Sequence, residues 1–216
     1  MKLGQQAMEA LKSQIDGALE IGDDLVVAGV IAIEGTQILI EKEKEKLLEY
    51  FSDGFLWNTV RTLEKCRVPE MLSEPFKDEI HARYDLGTGG VLSGLWKMTE
   101  ASGTGLRADL RAIPVRQETI EICERLDVNL YKLLSDGAVL LGCTDGAKVV
   151  QECLHQQIPA AVIGKAVEGN DRLLYSGGLT RYLERPSQDE LTRFSWGEKW
   201  LSLIHISEPT RPEPIS

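Results

Sequence analysis

Two short runs of this chain are apolar at nearly every position. They are residues 24–33, rich in Val and Ile, and residues 138–143, Ala-Val-Leu-Leu-Gly-Cys. A strand that is apolar on both faces belongs inside a sheet covered on both sides. Around these runs, short strand patterns and helical patterns alternate along the chain. That alternation predicts a layered sheet with helices packed against it.

The helical patterns fall at 4–19, from about 36 to 51, at 54–65, from the glycine turn near 88 to 102, at 118–126 and at 145–156. Further strands are predicted at 80–85, 106–110, 160–166, 172–175 and 181–183. Glu34, Gly35 and Thr36 break the first apolar run before its helix. Pro69 and Pro75 mark a loop. The alternating Glu and Lys residues at 41–46 read as a solvated helix face with local ion pairs. In the helix after the glycine turn, Val91, Leu95 and Met98 lie on one line, with Leu92 and Trp96 beside it. That apolar face belongs to the core, and Trp96 is expected there.

At 216 residues the chain makes one domain or two small ones, and 43% hydrophobic residues suffice for a packed core. A formal charge of -10 argues against a nucleic-acid partner. No apolar run is long enough for a transmembrane helix, and the N-terminus lacks an apolar signal core, so the cytoplasm is the expected location. Cys66, Cys123, Cys143 and Cys153 form no closely spaced pair, and His81, His155 and His205 are scattered. No metal-ligand spacing emerges, and reduced, buried thiols are expected.

One stretch carries chemistry. Residues 84–91 read as a strand end at Tyr84 and Asp85, a turn through Gly87, Thr88, Gly89 and Gly90, and then a helix. Free amides and the helix dipole make such a junction an anion site. Asp85 adds a carboxylate for a metal ion or a polar substrate. Two glycines in a first helical turn each cost up to about 1 kcal/mol relative to alanine, which suggests a close backbone approach. The alternative is a tight turn with Thr88 as N-cap.

Several segments together resemble the C-terminal domain of the AIR-synthase superfamily, and within it the hydrogenase maturation factor branch. They are Gly22-Asp23-Asp24-Leu25-Val26-Val27, Glu34-Gly35-Thr36, the 85–91 loop, and Leu95-Trp96-Lys97-Met98 running on to Gly103. Ile113-Pro114-Val115-Arg116, Ser135-Asp136-Gly137, residues 158–164 and residues 186–191 continue the likeness, which covers roughly 19–194. The resemblance implies an α+β layered domain, a mixed β-sheet with helices packed on it. It also implies a protein that uses ATP and Mg2+ to activate a carbonyl or amide oxygen. In the hydrogenase branch this dehydrates a carbamoyl group, with other hydrogenase maturation proteins as partners. Carried over, Asp85, Gly87, Thr88, Gly89 and Gly90, with Glu34 and Thr36, would contact nucleotide, phosphate or substrate. Asp136 falls where some members carry a catalytic base; a turn-capping Asp is the alternative.

The chain departs from the family pattern in ways that set further expectations. Complete members have an N-terminal domain that supplies the magnesium-binding aspartates and dimerises. Here only a helix over 1–19 precedes the related domain, set at 20–194. The terminal cysteine of the hydrogenase branch has no counterpart beyond Cys153, and the family's His before the loop aspartate is Tyr84. Residues 195–216 are set as a non-native-looking tail; within it Ser202 to Pro212 resembles translated adapter DNA, and the residues after about Trp200, with Pro209, Pro212 and Pro214, are expected not to pack. The expected function is therefore that of a C-terminal domain, inactive towards ATP by itself. The alternatives are a non-catalytic assembly module, or a member like the thiamine-monophosphate kinases or selenophosphate synthases.

Overall fold

The computed structural model describes residues 4–68, 79–186, 188–194 and 196. Helix α1 (Gln5–Lys12) leads through strand β1 (Asp16–Gly17) into β2 (Asp24–Ala28). Helices α2 (Ile33–Lys42), α3 (Lys44–Leu47) and α4 (Asp53–Glu64) follow. Strand β3 (Ile80–Asp85) feeds α5 (Gly90–Ser102), then β4 (Gly105–Asp109) and α6 (Gln117–Leu126). Strand β5 (Val139–Cys143) feeds α7 (Gly146–His155), after which come β6 (Ala160–Val167), β7 (Arg172–Ser176) and β8 (Leu179–Tyr182).

The strands form one mixed sheet of eight, in the order β1-β3-β5-β2-β6-β4-β7-β8. Only the β4–β7 pairing is parallel. The two apolar runs lie side by side at the centre as β5 and β2, and both are covered on both faces. On one face Leu25, Val27 and Leu140 pack with Val91, Leu95 and Met98 of α5. On the other, Val26, Ala28, Val139 and Leu141 pack with Val149 and Cys153 of α7. A further cluster joins α2, α4 and α6 through Leu39, Leu56, Ile122 and Cys123.

Four expected element boundaries need correction. The strand at 24–33 stops at Ala28, because Gly29 (φ 84°) and Ala32 (φ 62°) adopt left-handed backbone. Glu34, Gly35 and Thr36 do not break the chain but form the first turn of α2. Gly35 is there for packing: a Cβ would stand 2.4 Å from the Leu133 side chain and 2.9 Å from the Leu134 carbonyl. The helix at 4–19 ends at Lys12, since Asp16 and Gly17 pair with Arg83 and Ala82 of β3. The helix expected to reach 51 is divided into α2 and α3.

The Glu/Lys run is solvated as expected, with Lys42 on Glu41 (2.8 Å) and Lys44 on Asp53 (2.6 Å). Trp96 is not core. It is half-buried, and the guanidiniums of Arg172 and Arg185 each lie 5.6 Å from its ring. An indole stacked by two cations tolerates the protein surface, and the line Val91–Leu95–Met98 fills the interior instead. Cys123, Cys143 and Cys153 are buried and unpaired, and burial pushes the Cys123 and Cys143 thiols up to about 12. The loop at Pro69 and Pro75 and the tail from 197 onwards lie outside the described residues.

Candidate functional site

Strand register places the predicted site residues at one end of the sheet. Val139, the first residue of β5, pairs with Ala28, the last of β2, on one side. On its other side it pairs with Asp85, the last of β3. The segments leaving this row therefore lie together: 29–36 into α2, 85–90 into α5, and 133–137 entering β5.

Ser135 ties the three segments. Its buried hydroxyl accepts from the Ala32 N–H (2.9 Å) and donates to the Leu133 carbonyl (2.8 Å). Its own N–H donates to the Gly87 carbonyl (3.2 Å), and the Gly35 N–H donates to the Leu134 carbonyl (3.0 Å). Neither α2 nor α5 has a side-chain cap of its own. Two helix amino ends, each a focus of positive potential, thus face the same end of the sheet.

Within the glycine loop the residues divide. Asp85 is exposed and paired with Arg83 at 2.9 Å. Thr88 is exposed and caps nothing, so the N-cap alternative fails; Gly89 holds that position at φ 80°. The Gly89 N–H donates to the Asp189 carboxylate at 2.7 Å, and the Gly90 N–H to the Gly87 carbonyl at 3.0 Å. The close approach at Gly90 comes from the chain itself: a Cβ there would meet the Tyr131 carbonyl oxygen at 2.6 Å and that of Leu133 at 2.7 Å. Gly87 is different. A Cβ on it would meet nothing within 4 Å, so this turn of the loop faces open space.

Asp189 is the residue that sequence reasoning missed here. It lies in the 186–191 segment, is 2% exposed, and accepts from the N–H groups of Gly89 and Leu191. Burial raises its carboxyl above the ordinary aspartate value, and bonds from the amides of Leu191, Gly89 and Leu134 oppose that rise. The anion that α5 attracts at Gly89 is thus an internal carboxylate. An Asp one residue before a short helical turn was the available signal, but its reach to residue 89 is tertiary.

Glu34 and Asp136 come together through a second missed residue, Arg67. Its guanidinium pairs with Glu34, with Asp136 at 3.1 Å and with Glu64 at 2.9 Å, and donates to Gln37 at 3.2 Å. Burial works against the charge on Arg67, but its hydrogen bonds to the Glu64 and Glu34 carboxylates outweigh it and raise its pKa. Asp136 is therefore more than a turn residue: it completes an ionic network at the amino end of α2. Thr36 does not join. It is fully buried, with its hydroxyl 3.4 Å from that of Thr119.

The described residues contain no group of three or more His, Cys, Asp or Glu placed to hold a metal ion. No helix among them is long and apolar enough to cross a membrane.

An eight-stranded mixed sheet with helices packed on it is the fold of an AIR-synthase-type C-terminal domain. Residues 20–175 match the family model "AIR synthase related protein, C-terminal domain", and the chain belongs to that family. Carbamoyl dehydratase HypE of Escherichia coli (strain K12) is 28% identical over 182 residues, which cover 81% of this chain and 51% of that protein. HypE of Rhodobacter capsulatus is 25% identical, covering 82% and 52%. The crystal structure of E. coli HypE superposes with a TM-score of 0.63 at 25% identity, covering 81% of this chain and 53% of that one. A HypE structure in complex with ATP shares the fold, with a TM-score of 0.58 at 20% identity over 79% of this chain and 52% of that one. The chain spans about half the length of the curated relatives it matches.

Proposed function

We propose that this chain is the C-terminal domain of a HypE-like, ATP-dependent carbamoyl dehydratase. In that reaction ATP makes an amide oxygen into a leaving group, and the protein's part is mostly positioning and electrostatic stabilisation. The observation that carries the reading is the meeting of the α2 start, the glycine loop and the 133–137 turn on one row of the sheet. It lies in a chain that aligns with HypE along four-fifths of its length.

The geometry narrows the roles. Gly87, with its open face, and the exposed residues Asp85 and Thr88 are the part of the loop free to meet a nucleotide or carboxamide. The amides of Gly89 and Gly90 hold the loop in shape instead. Asp136 is assigned to proton handling, with Glu34 beside it, and Arg67 supplies their common counter-charge. Thr36 is assigned to packing. ATP would supply the phosphoryl group at this end of the sheet. Its Mg2+ has no cluster of ligands among the described residues.

Protein partners follow the same reading. A HypE homologue has been crystallised in a HypE–HypF complex, which supports a maturation protein as partner.

The test is calorimetric titration with ATP. The chain should bind it weakly, and Gly87→Val should reduce binding at least about tenfold by filling the open face. Gly89→Val is the wrong probe, because a φ of 80° and a 2.9 Å approach to the Ser93 Cβ strain that substitution without any ligand. No ATP binding, alone or when joined to the N-terminal half of E. coli HypE, would rule the reading out.

A further inference from the structure

The sheet is not covered evenly. On the face that carries α7, that helix packs on β2, β5 and β6, whereas among the described residues β4, β7 and β8 have no α-helix in substantial contact on that side. Strand alternation assigns this open face. In β4, Leu106 and Ala108 point into the α5-side core while Arg107 and Asp109 are exposed. Register then builds two rows across the open strands. Arg107 pairs with Leu173 of β7, which pairs with Tyr182 of β8. Asp109 pairs with Tyr175, which pairs with Thr180.

The open face thus carries an apolar and aromatic strip, Leu173, Tyr175 and Tyr182, beside one positive and one negative side chain. Tyr182 is 66% exposed. Arg107 has no ion-pair partner among the described residues, whereas Arg67, Arg83, Arg116, Arg172 and Arg193 each have one.

We propose that this face binds a second copy of the chain, face to face, about a two-fold axis that crosses the strands between the two rows. The charge pattern selects that occupant. Such an axis sets antiparallel strands opposite each other, so Arg107 of each copy meets Asp109 of the other. The same operation sets Leu173 against Tyr175 and Tyr182 against Thr180. An isologous interface must be self-complementary, and one positive row facing one negative row across a two-fold axis is so by construction. Two sheets packed this way stand about 10 Å apart with their side chains interleaved. The amino ends of α2 and α5 lie outside the interface, so self-association leaves the candidate site open.

Sedimentation equilibrium of the chain tests this. A reversible species of twice the 24.0 kDa chain mass is expected at tens of micromolar. Arg107→Asp sets acid against acid and Asp109→Arg sets base against base. Each should weaken the dimer by about tenfold or more. The double variant, Arg107→Asp with Asp109→Arg, restores the pairing and should return the dissociation constant to within about threefold of wild type. Asp109 also accepts from the Arg111 N–H, so Tyr182→Glu, on an exposed position, serves as a fold-neutral disruptor. A chain that is monomeric at every concentration, or a dimer indifferent to Arg107→Asp and Tyr182→Glu, overturns the proposal. So does a double variant no tighter than the single ones.

Discussion

The β3–α5 and β5–α7 units are the same motif built to opposite ends. Both are a strand, a tight turn and a helix, and because β3 and β5 are antiparallel neighbours, their helices start at opposite ends of the sheet. At α7 the start is sealed. Asp145 accepts from the Lys148 N–H at 3.1 Å, and Asp24 reaches across to accept from the Gly146 N–H at 3.0 Å. Burial acts to raise the Asp24 carboxyl, yet bonds from Lys165 and Gly146 leave it below the ordinary aspartate value. At α5 the turn has no capping side chain, and a single borrowed carboxylate, Asp189, takes one amide. The α7 start is thus closed by two carboxylates, and the α5 loop beside the α2 start, where neither helix has a side-chain cap, is the end proposed for a ligand.

The first way to break this contrast is at the glycines that begin each helix. Gly90→Ala should cost about 3 kcal/mol or more, combining left-handed backbone with collision against two carbonyl oxygens. Gly146→Ala meets only the side chains of Asp24 and Val162 and should cost about 1–2 kcal/mol. Urea denaturation compares the two, and equal losses would mean that the crowding at Gly90 is not what shapes the loop.

Asp189→Ala comes next. It strands the buried Gly89 N–H and should cost about 2 kcal/mol by the same measurement. Asp189→Asn isolates the charge. A carboxyl whose folded pKa lies above its unfolded value binds more protons in the folded state. Its contribution is therefore greatest below the unfolded value and is lost as pH rises through the raised one. The stability of wild type relative to Asp189→Asn should fall over that window. A difference that rises with pH would show that the amide bonds, not burial, dominate this carboxyl.

These residues also mark what was legible in the sequence. The two central strands were, because a strand apolar on both faces has one environment available to it. Their ends were not: backbone at Gly29 and Ala32 turns left-handed for tertiary reasons, and residues at Asp16 and Gly17 leave a helical pattern to pair with β3. The glycine loop was recognised, and so was a close backbone approach at its glycines, but not what approaches. At Gly90 it is the chain's own carbonyls of Tyr131 and Leu133. Glu34 and Asp136 stood out in the sequence, but their union did not, since Arg67 and Asp189 act across 33 and 100 residues of sequence respectively.

The smallest effects sharpen the contrast at the caps. Asp145→Ala should cost about 1 kcal/mol, as removal of a working N-cap does. Thr88→Ala, at the matching turn of α5, should stay within about 0.5 kcal/mol because that side chain is exposed and caps nothing. Thermal melts of the two variants decide it; a comparable loss for Thr88→Ala would restore the tight-turn reading of the loop.

The central claim is that the end of the sheet carrying the α2 and α5 starts is the ligand end. A 15N amide titration of the chain with ATP tests it most directly. The account predicts saturable shifts at Asp85, Gly87 and Thr88 and at Asp136, with Ala147 and Lys148 at the start of α7 unmoved. Shifts at α7 equal to those at the loop, or none at the loop at saturating ATP, would contradict it.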